Sequence, residues 1–138
     1  MDPLKPFDAN MQLLGKVLDL RAQKAQVISA NIANAETPGY SANRFDFEDD
    51  LAQAIHGSKG FKLTTSHAAH IPLGPTNFHS VSGKVVTVQD ETGIGDKNSV
   101  KVNQEMLNLS ENELLYETAA QLLKKKITQI NYVVSGGQ

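Results

Sequence analysis

Both ends of this 138-residue chain carry apolar side chains at alternating steps of three and four residues. Such spacing aligns the side chains along one narrow side of an α-helix, as in the contact seam of a coiled coil. A single charged residue interrupts each stripe, Arg21 in the first and Glu113 in the second. The pattern predicts a mainly α-helical protein in which long N- and C-terminal helices pair as a coiled-coil-like hairpin.

The N-terminal stripe predicts a helix that begins near residues 4–8 and ends by Ala35. Thr37 precedes a proline and is therefore disfavoured in helical geometry, while Pro38 and Gly39 suit the two central positions of a type II turn. We expect the stripe to form an assembly interface. Its members are Leu4, Phe7, Met11, Leu14, Leu18, Ala25, Ile28 and Ile32.

Two asparagines, Asn31 and Asn34, lie near the end of this helix, although asparagine is a poor helix former. Their amide groups can bond to carbonyl oxygens of an adjoining chain, which would add them to the assembly interface. They can equally form a polar edge beside the apolar stripe. The sequence leaves both interpretations open, and both residues are included in the candidate interface.

The C-terminal stripe predicts a second long helix within residues 101–138. Acidic residues fill its first half and Lys124 to Lys126 lie in its second half, an arrangement that suits the helix dipole. Asp96 and Asn98 are candidate capping residues before its first turn. The candidate interface residues here are Met106, Leu109, Tyr116, Leu123, Ile127 and Ile130.

The predicted helices are too long for one small domain to cover. Each would extend for about 45–50 Å at 1.5 Å per residue, about twice what the interior of a domain of this size can cover. A two-helix hairpin hides one side of each stripe and leaves the other side in water. The apolar surface of the second helix is widened further by Leu107, Leu114, Leu115 and Leu122. The sequence therefore predicts self-association or packing against helices of other proteins.

The composition divides the chain into an N-terminal segment of residues 1–40, a central segment of residues 41–100 and a C-terminal segment of residues 101–138. We expect the two ends to form one assembly domain. The central segment holds most of the glycines and all four histidines, and is predicted to be mostly irregular. A short amphipathic helix near residues 46–55 and a strand near residues 84–89 are its clearest elements.

Charge and composition exclude several classes of partner. The formal net charge is −2 at pH 7, without the concentration of basic side chains that binds phosphate, so nucleic acid is not an expected partner. No apolar run is long enough to cross a bilayer, so direct membrane insertion is not expected either. The N-terminus lacks the features of a cleaved signal peptide, so any export of the chain would leave it uncut.

No catalytic, cofactor-binding or metal site is predicted. His67 and His70 have the spacing of one helical turn, but a zinc site usually needs three ligands on a rigid scaffold. Solvated or locally hydrogen-bonded imidazoles are the simpler interpretation. The acidic run from Asp46 to Asp50 lacks the framework of a calcium loop and is interpreted as a solvated helix start. A hydrolase or metalloprotein that uses the two histidines is the enzyme alternative.

The run from Ser29 to Tyr40, SANIANAETPGY, resembles the N-terminal signature of the bacterial flagellar rod, hook and filament-junction proteins, with Ala30 inserted after the serine. The ending Thr37-Pro38-Gly39-Tyr40, together with the residues that follow it, is similar to the rod proteins of the flagellar basal body, and to the proximal ones in particular. Where this family usually has Asp-Gly-Asn, the chain has Asp96-Lys97-Asn98. Further similarity lies in Asn98-Ser99-Val100, Gln104-Glu105-Met106 and the run from Leu122 to Ile127.

The resemblance implies a structural subunit rather than an enzyme. Members of this family polymerise through their terminal helices into the periplasmic rod, the drive shaft that transmits torque. They leave the cell through the flagellar type III export apparatus without signal-peptide cleavage. The implied partners are further copies, other rod proteins, the adaptor at the rod base and the membrane ring beneath it. The alternatives are another small rod subunit and a soluble helical adaptor that binds a partner helix.

Overall fold

Two long helices account for most of the residues that the computed structural model describes, which are 9–56, 77–89 and 95–136. The first and last helices pack along each other. The predicted mainly helical fold with paired terminal helices is therefore confirmed. In chain order the elements are α1 (Ala9–Ala33), β1 (Ala42–Asp46), α2 (Glu48–His56), β2 (Lys84–Val88) and α3 (Val102–Val134), with a 3-10 turn at Phe78–Ser80.

Helix α1 ends where the sequence predicts. Its last residue is Ala33, in agreement with an end by Ala35. The following turn is closed by a hydrogen bond from the Tyr40 N–H to the Thr37 carbonyl oxygen at 3.2 Å. Gly39 has a φ of 73°, the left-handed value that the third position of a type II turn requires. The predicted turn type is confirmed, whereas the predicted interface residues Leu4 and Phe7 lie outside the described residues.

The two strands form a small antiparallel sheet in which Ala42 lies opposite Val88 and Asp46 opposite Lys84. Strand β2 occupies the region where the sequence predicts one. Strand β1 has no counterpart in the sequence-based prediction, which assigns Asp46 to the start of the short helix. That helix begins only at Glu48, since the backbone before it pairs with β2.

The hydrophobic core lies between α1 and the central segment rather than between the two long helices. Phe45, Phe47, Leu51 and Val81 pack against Leu20 in one buried cluster. The α1 residues that contribute to it share a face one position away from the predicted stripe; they are Leu13, Val17, Leu20 and Val27. Helix α1 therefore has two apolar faces, and the alternating spacing of three and four residues indicates one of them.

Arg21, the charged residue that interrupts the N-terminal stripe, connects three elements. Its guanidinium carbon lies 5.5 Å from the centre of the Phe47 ring, a cation–π distance. Its Nη1 donates a hydrogen bond to Asn112 Oδ1 of α3 at 3.3 Å. The interruption is thus a bridge between the two long helices and the core.

Lys24 lies one turn further along α1 and binds the start of α2. Its ammonium nitrogen is 5.6 Å from the centre of the Phe47 ring and 2.6 Å from Glu48 Oε1. The pKa of Glu48 lies below its usual value. Partial burial alone would raise this pKa, but the hydrogen bonds from Lys24 and from the backbone N–H groups of Glu48 and Phe47 stabilise the carboxylate by more. The ion pair therefore holds α2 against α1 with Glu48 in its charged form.

We predict opposite effects of alanine at two glycines. Gly83 has a φ of 71°, and a methyl group there would overlap the ring of Phe45, so Gly83→Ala should lower the free energy of unfolding by about 3 kcal/mol. Gly15 lies in α1, and apart from the backbone of its own helix and its chain neighbours nothing lies within 4 Å of the added methyl group, so Gly15→Ala should raise the free energy of unfolding by about 1 kcal/mol. Urea unfolding followed by circular dichroism measures both. Equal effects of the two substitutions would contradict the packing described here.

Candidate assembly surface

Asn31 is fully buried, with 0% of its surface exposed, at the junction of α1, β1 and α3. Its Nδ2 donates to the Asn43 carbonyl oxygen at 2.7 Å and to Glu105 Oε2 at 3.1 Å. Its Oδ1 accepts from the Asn43 N–H at 2.9 Å and from the Tyr40 hydroxyl at 3.3 Å. Both amide hydrogens are used within the chain, so neither remains for a carbonyl of an adjoining chain.

The Asn31 amide acts on β1 as a neighbouring strand would, because it bonds to both the N–H and the carbonyl oxygen of the same residue, Asn43. A two-stranded sheet alone has marginal stability in water. The side chain therefore supports the sheet from its edge and joins it to α1. Asn34, by contrast, forms only local side-chain bonds at the end of α1. It donates to the Ala30 carbonyl oxygen and accepts from the Thr37 hydroxyl.

Asn98 closes the end of α1 and does not cap α3. Its Nδ2 lies 2.8–2.9 Å from the carbonyl oxygens of Asn34, Ala35 and Thr37. These carbonyls lie in the turn that follows α1, beyond its last helical residue, where the regular helical hydrogen bonds no longer continue. The prediction that Asp96 and Asn98 cap α3 is wrong, because α3 begins later, with Lys101 at its N-cap and no side-chain cap bond.

The backbone around Asn98 also binds the turn that follows α1. The Gly39 N–H donates to the Asp96 carbonyl oxygen at 2.7 Å. The Ser99 N–H donates to the Tyr40 carbonyl oxygen at 3.1 Å. We use the term motif clamp for Asn31, Asn34, residues 37–40 and residues 96–99, which together hold the end of α1 against the start of α3.

Lys97 adopts the backbone conformation that a glycine would favour. Its φ is 58°, so it is the one residue other than glycine with a positive φ among those that the structure describes. The Asp96 side chain accepts a hydrogen bond from the Asn98 N–H at 3.1 Å across this residue. The turn that places Asn98 therefore holds a lysine in the left-handed conformation, at a steric cost that glycine would not have.

The contact between α1 and α3 is centred on small and polar side chains. Asn112 is buried, and its Nδ2 donates to the Arg21 carbonyl oxygen at 2.9 Å. Ala119 is the other buried residue of α3. Leu123 and Ile130 are half-buried on the same side. The side of α3 that faces α1 therefore passes through residue 112 rather than through residue 113 of the predicted stripe.

The predicted interface residues are distributed accordingly. On α1, Met11 and Ile28 are buried, whereas the other described members of the apolar stripe are half-buried: Leu14, Leu18, Ala25 and Ile32. On α3, Leu109 is half-buried with Leu123 and Ile130. Met106, Tyr116 and Ile127 are exposed, at 56%, 40% and 41%. None of the residues that the structure describes covers these three side chains fully.

Helix α3 has four distinct sides. At about 100° per residue, the exposed members of the predicted stripe lie on one flank of the contact with α1, beside the half-buried Ala120. A second set of exposed apolar residues lies on roughly the opposite flank, and a polar side faces away from α1. We define the first flank as Met106, Tyr116, Ala120 and Ile127, the second flank as Leu107, Leu114 and Leu122, and the polar side as Asn103, Ser110, Gln121 and Thr128.

Three of the acidic residues between Asp46 and Asp50 form ion pairs with basic neighbours. Asp46 pairs with Arg44 at 2.8 Å and Asp50 with Lys84 at 3.3 Å, besides the pair of Glu48 with Lys24. Across the described parts of the chain, no three histidine, aspartate or glutamate side chains converge as metal ligands do. His67 and His70 lie outside those parts. Among the described helices, none combines the length and apolar character needed to span a bilayer.

A helical hairpin with apolar flanks left uncovered on both sides of one helix is typical of a subunit in a larger helical assembly. Comparison with known proteins agrees with this class. Residues 18–40 match the family model described as flagella basal body rod protein. These residues include most of α1 and the whole turn that ends at Tyr40.

Relatives that match over nearly the whole chain include proteins named flagellar basal body rod protein FlgB. The protein from Aeromonas hydrophila is 33% identical over 96% of this chain and 97% of its own. The proteins from Yersinia ruckeri and Salmonella typhimurium are 32% and 31% identical, each over 97% of this chain and 99% of the relative. The chain belongs to the flagellar basal body rod protein family, and it is a structural rod subunit and not an enzyme.

We predict that Asn31→Leu destabilises the folded chain by about 2–4 kcal/mol. The leucine has a similar volume but leaves the N–H and the carbonyl oxygen of Asn43 buried without a partner. Asn34→Leu, the matched control, removes bonds from a more exposed site and should cost less than about 1 kcal/mol. Chemical denaturation of the two variants compares them. Similar losses would mean that the buried amide has no special role.

We also predict that Lys97→Gly stabilises the chain by about 0.5–1 kcal/mol. Glycine adopts a positive φ without steric cost, and the gain is reduced by its greater freedom in the unfolded state. Lys97→Ala removes the same charge but keeps the steric cost, so it should not stabilise. Thermal unfolding of the two variants measures the difference. A gain from alanine as large as that from glycine would assign the effect to charge.

Proposed function

We propose that copies of this chain polymerise side by side through the two flanks of α3 into the tube of the proximal rod. One observation carries the proposal: the two flanks are apolar, exposed and on roughly opposite sides of the same helix. A copy that offers different surfaces on opposite sides makes head-to-tail contacts, which generate rings or open helices rather than closed dimers. The polar side of α3 then faces the channel of the tube.

The position of α1 fits this arrangement. It covers the side of α3 opposite the polar side and carries the central segment on its other face. In a tube, that order places α3 innermost, α1 around it and the central segment outermost. The flanks are left for contacts between copies, and water can reach the polar side.

Burial of the flank side chains can contribute enough free energy to drive the association of copies. Leu107 and Leu114 are 62% and 65% exposed, and burial of such a side chain contributes about 1.5–3 kcal/mol. Several flank residues from each copy would be buried together. Their sum offsets the translational and rotational entropy lost when two copies associate, a cost of about 4–15 kcal/mol.

The motif clamp suits a subunit that transmits torque. It joins the end of α1, the start of α3 and the sheet through short hydrogen bonds that include a fully buried amide. A twisting force on the tube would therefore pass to the central segment without a flexible joint. In this role the motif residues shape each copy, and the flanks of α3 bind its neighbours.

The family and its relatives support the rest of the proposal. We infer that the chain is exported through the flagellar type III apparatus without signal cleavage and that it joins the rod that crosses the periplasm. Its partners would be further copies, other rod proteins, the adaptor at the rod base and the membrane ring. Relatives named FlgB that match over nearly their full length favour this rod position over that of another small rod subunit.

The test is to add a charge to the first flank without disturbing the monomer. Ile127→Asp should abolish rod assembly, because it would bury an unpaired carboxylate between copies. The free energy of unfolding of the purified chain should fall by only about 1 kcal/mol, since the side chain is 41% exposed and packs only in part against the chain. Basal bodies from a bacterium that carries only the variant can be counted by electron microscopy, with motility as a second measurement.

The matched control is Thr128→Asp, which adds the same charge at the next residue, on the polar side of α3. It should leave rod assembly and motility intact. Normal assembly of both variants would contradict the proposal. Loss of assembly in both variants would show that an added carboxylate blocks assembly on the polar side as well, which would contradict the assignment of the flank as the contact between copies. A purified chain that forms a small, fully helical oligomer of defined size would instead favour the soluble adaptor.

A further inference from the structure

We propose that neighbouring copies pack with their α3 helices parallel and displaced by 13 residues, so that Lys124 of one copy pairs with Glu111 of the next. At 1.5 Å per residue the displacement is about 20 Å. The inference rests on the proposed function and specifies its contact: the first flank of one copy meets the second flank of a second copy of the same chain.

The charges of α3 are separated along its length. Glu111, Glu113 and Glu117 lie in the first half, and Lys124 and Lys125 lie in the second. Two parallel copies without displacement would place like charges side by side, which is unfavourable. A displacement that brings the basic half of one helix beside the acidic half of the next reverses this repulsion.

Glu111 and Lys124 have their side chains available for such a pair. Both residues are exposed, and neither side chain forms an ion pair with any part of the chain that the structure describes. Lys124 borders the first flank, between Ala120 and Ile127. Glu111 borders the second flank, between Leu107 and Leu114. Each charge therefore lies between two apolar residues of its own flank.

The displacement of 13 residues matches the apolar residues as well as the charges. It sets Ala120 opposite Leu107 and Ile127 opposite Leu114, on either side of the pair of Lys124 with Glu111. The small alanine faces a leucine, so the helices can approach closely at that level. One displacement thus satisfies three successive contacts.

The displacement in the opposite direction fits less well. A displacement of 13 residues in that direction would set Leu114 opposite Lys101 and Leu122 opposite Leu109, which is half-buried beside α1. Lys125 would lie opposite the buried Asn112 rather than opposite a carboxylate. An antiparallel pair would also match charges, but it would join two copies of one flank and close as a dimer.

The chain has no cysteine, so cross-linking can test this displacement directly. In the variant Leu107→Cys with Ala120→Cys, the two thiols are 13 residues apart on one helix, about 20 Å. A disulfide needs Cα atoms within about 7 Å, so the two cysteines of one copy cannot join each other. Mild oxidation of assembled basal bodies should give a ladder of dimers, trimers and longer species on a non-reducing gel.

Two controls accompany the ladder. Each single-cysteine variant should give no disulfide, because the two flanks are different surfaces. Ser110→Cys with Ala120→Cys should also give none, since Ser110 lies on the polar side. A dimer from Ala120→Cys alone would show the antiparallel pair and overturn the proposal. A ladder from the Ser110 variant would overturn it too.

Charge exchange tests the same contact without cysteine. Lys124→Glu or Glu111→Lys alone should reduce the number of assembled rods by about tenfold or more, because each places two like charges in contact. The double variant should restore assembly with itself. Lys124→Glu with Glu117→Lys has the same net charge and should not restore it, and equal rescue by both pairs would overturn the assigned contact.

The displacement and the proposed function can fail separately. If Ile127→Asp blocks assembly but the cysteine pair gives no ladder in rods that do assemble, this displacement is wrong and the flank interface stands. If Ile127→Asp assembles normally, the flank interface itself is wrong. Restoration by the exchanged pair Lys124→Glu with Glu111→Lys, together with the ladder, would establish the contact.

Discussion

The arrangement of the described elements depends on one buried amide. Asn31 bonds to the N–H and the carbonyl oxygen of Asn43, to Tyr40 and to Glu105, so α1, β1 and α3 meet at a single side chain. A hydrogen-bonded amide in a buried site is costly to misplace, because every group that it satisfies would otherwise lose its partner. The side chain therefore specifies one geometry where apolar contacts alone would permit several.

The sequence predicted the features that depend on residues close together along the chain. The repeats of three and four gave the two long helices, and the chemistry of Thr37, Pro38 and Gly39 gave the end of α1 and its turn type. The partners of Asn31 could not be predicted in this way, since Glu105 is 74 residues away. Neither could the role of Asn98, whose spacing before α3 suggested a cap but whose amide closes the end of α1.

The candidate surface was predicted only in part, because both long helices are apolar on more than one side. A search for a single stripe on α1 selects the residues around Leu18 and overlooks Leu20, two positions away and part of the core. On α3 the apolar residues do follow the predicted stripe, but the side that contacts α1 is different. Around the helix axis it is rotated by about 70° from the centre of the stripe, less than the angle of about 100° between successive residues. Only the positions of Asn112 and Ala119 in the fold show that rotation.

This rotation leaves the folded chain with apolar surface on α3 that is available for assembly. Had α1 covered the predicted stripe, Met106, Tyr116 and Ile127 would be buried within the chain and the first flank would not be exposed. The contact is centred instead on Asn112 and Ala119, which bury little apolar surface, and the hydrogen bonds between Asn112 and Arg21 help to fix the register of the helix pair. The leucines of the second flank and Met106, Tyr116 and Ile127 of the first flank stay exposed on opposite sides. Their burial can therefore contribute to the association of copies and not to the folding of one, which is the division of energy that an assembling rod requires.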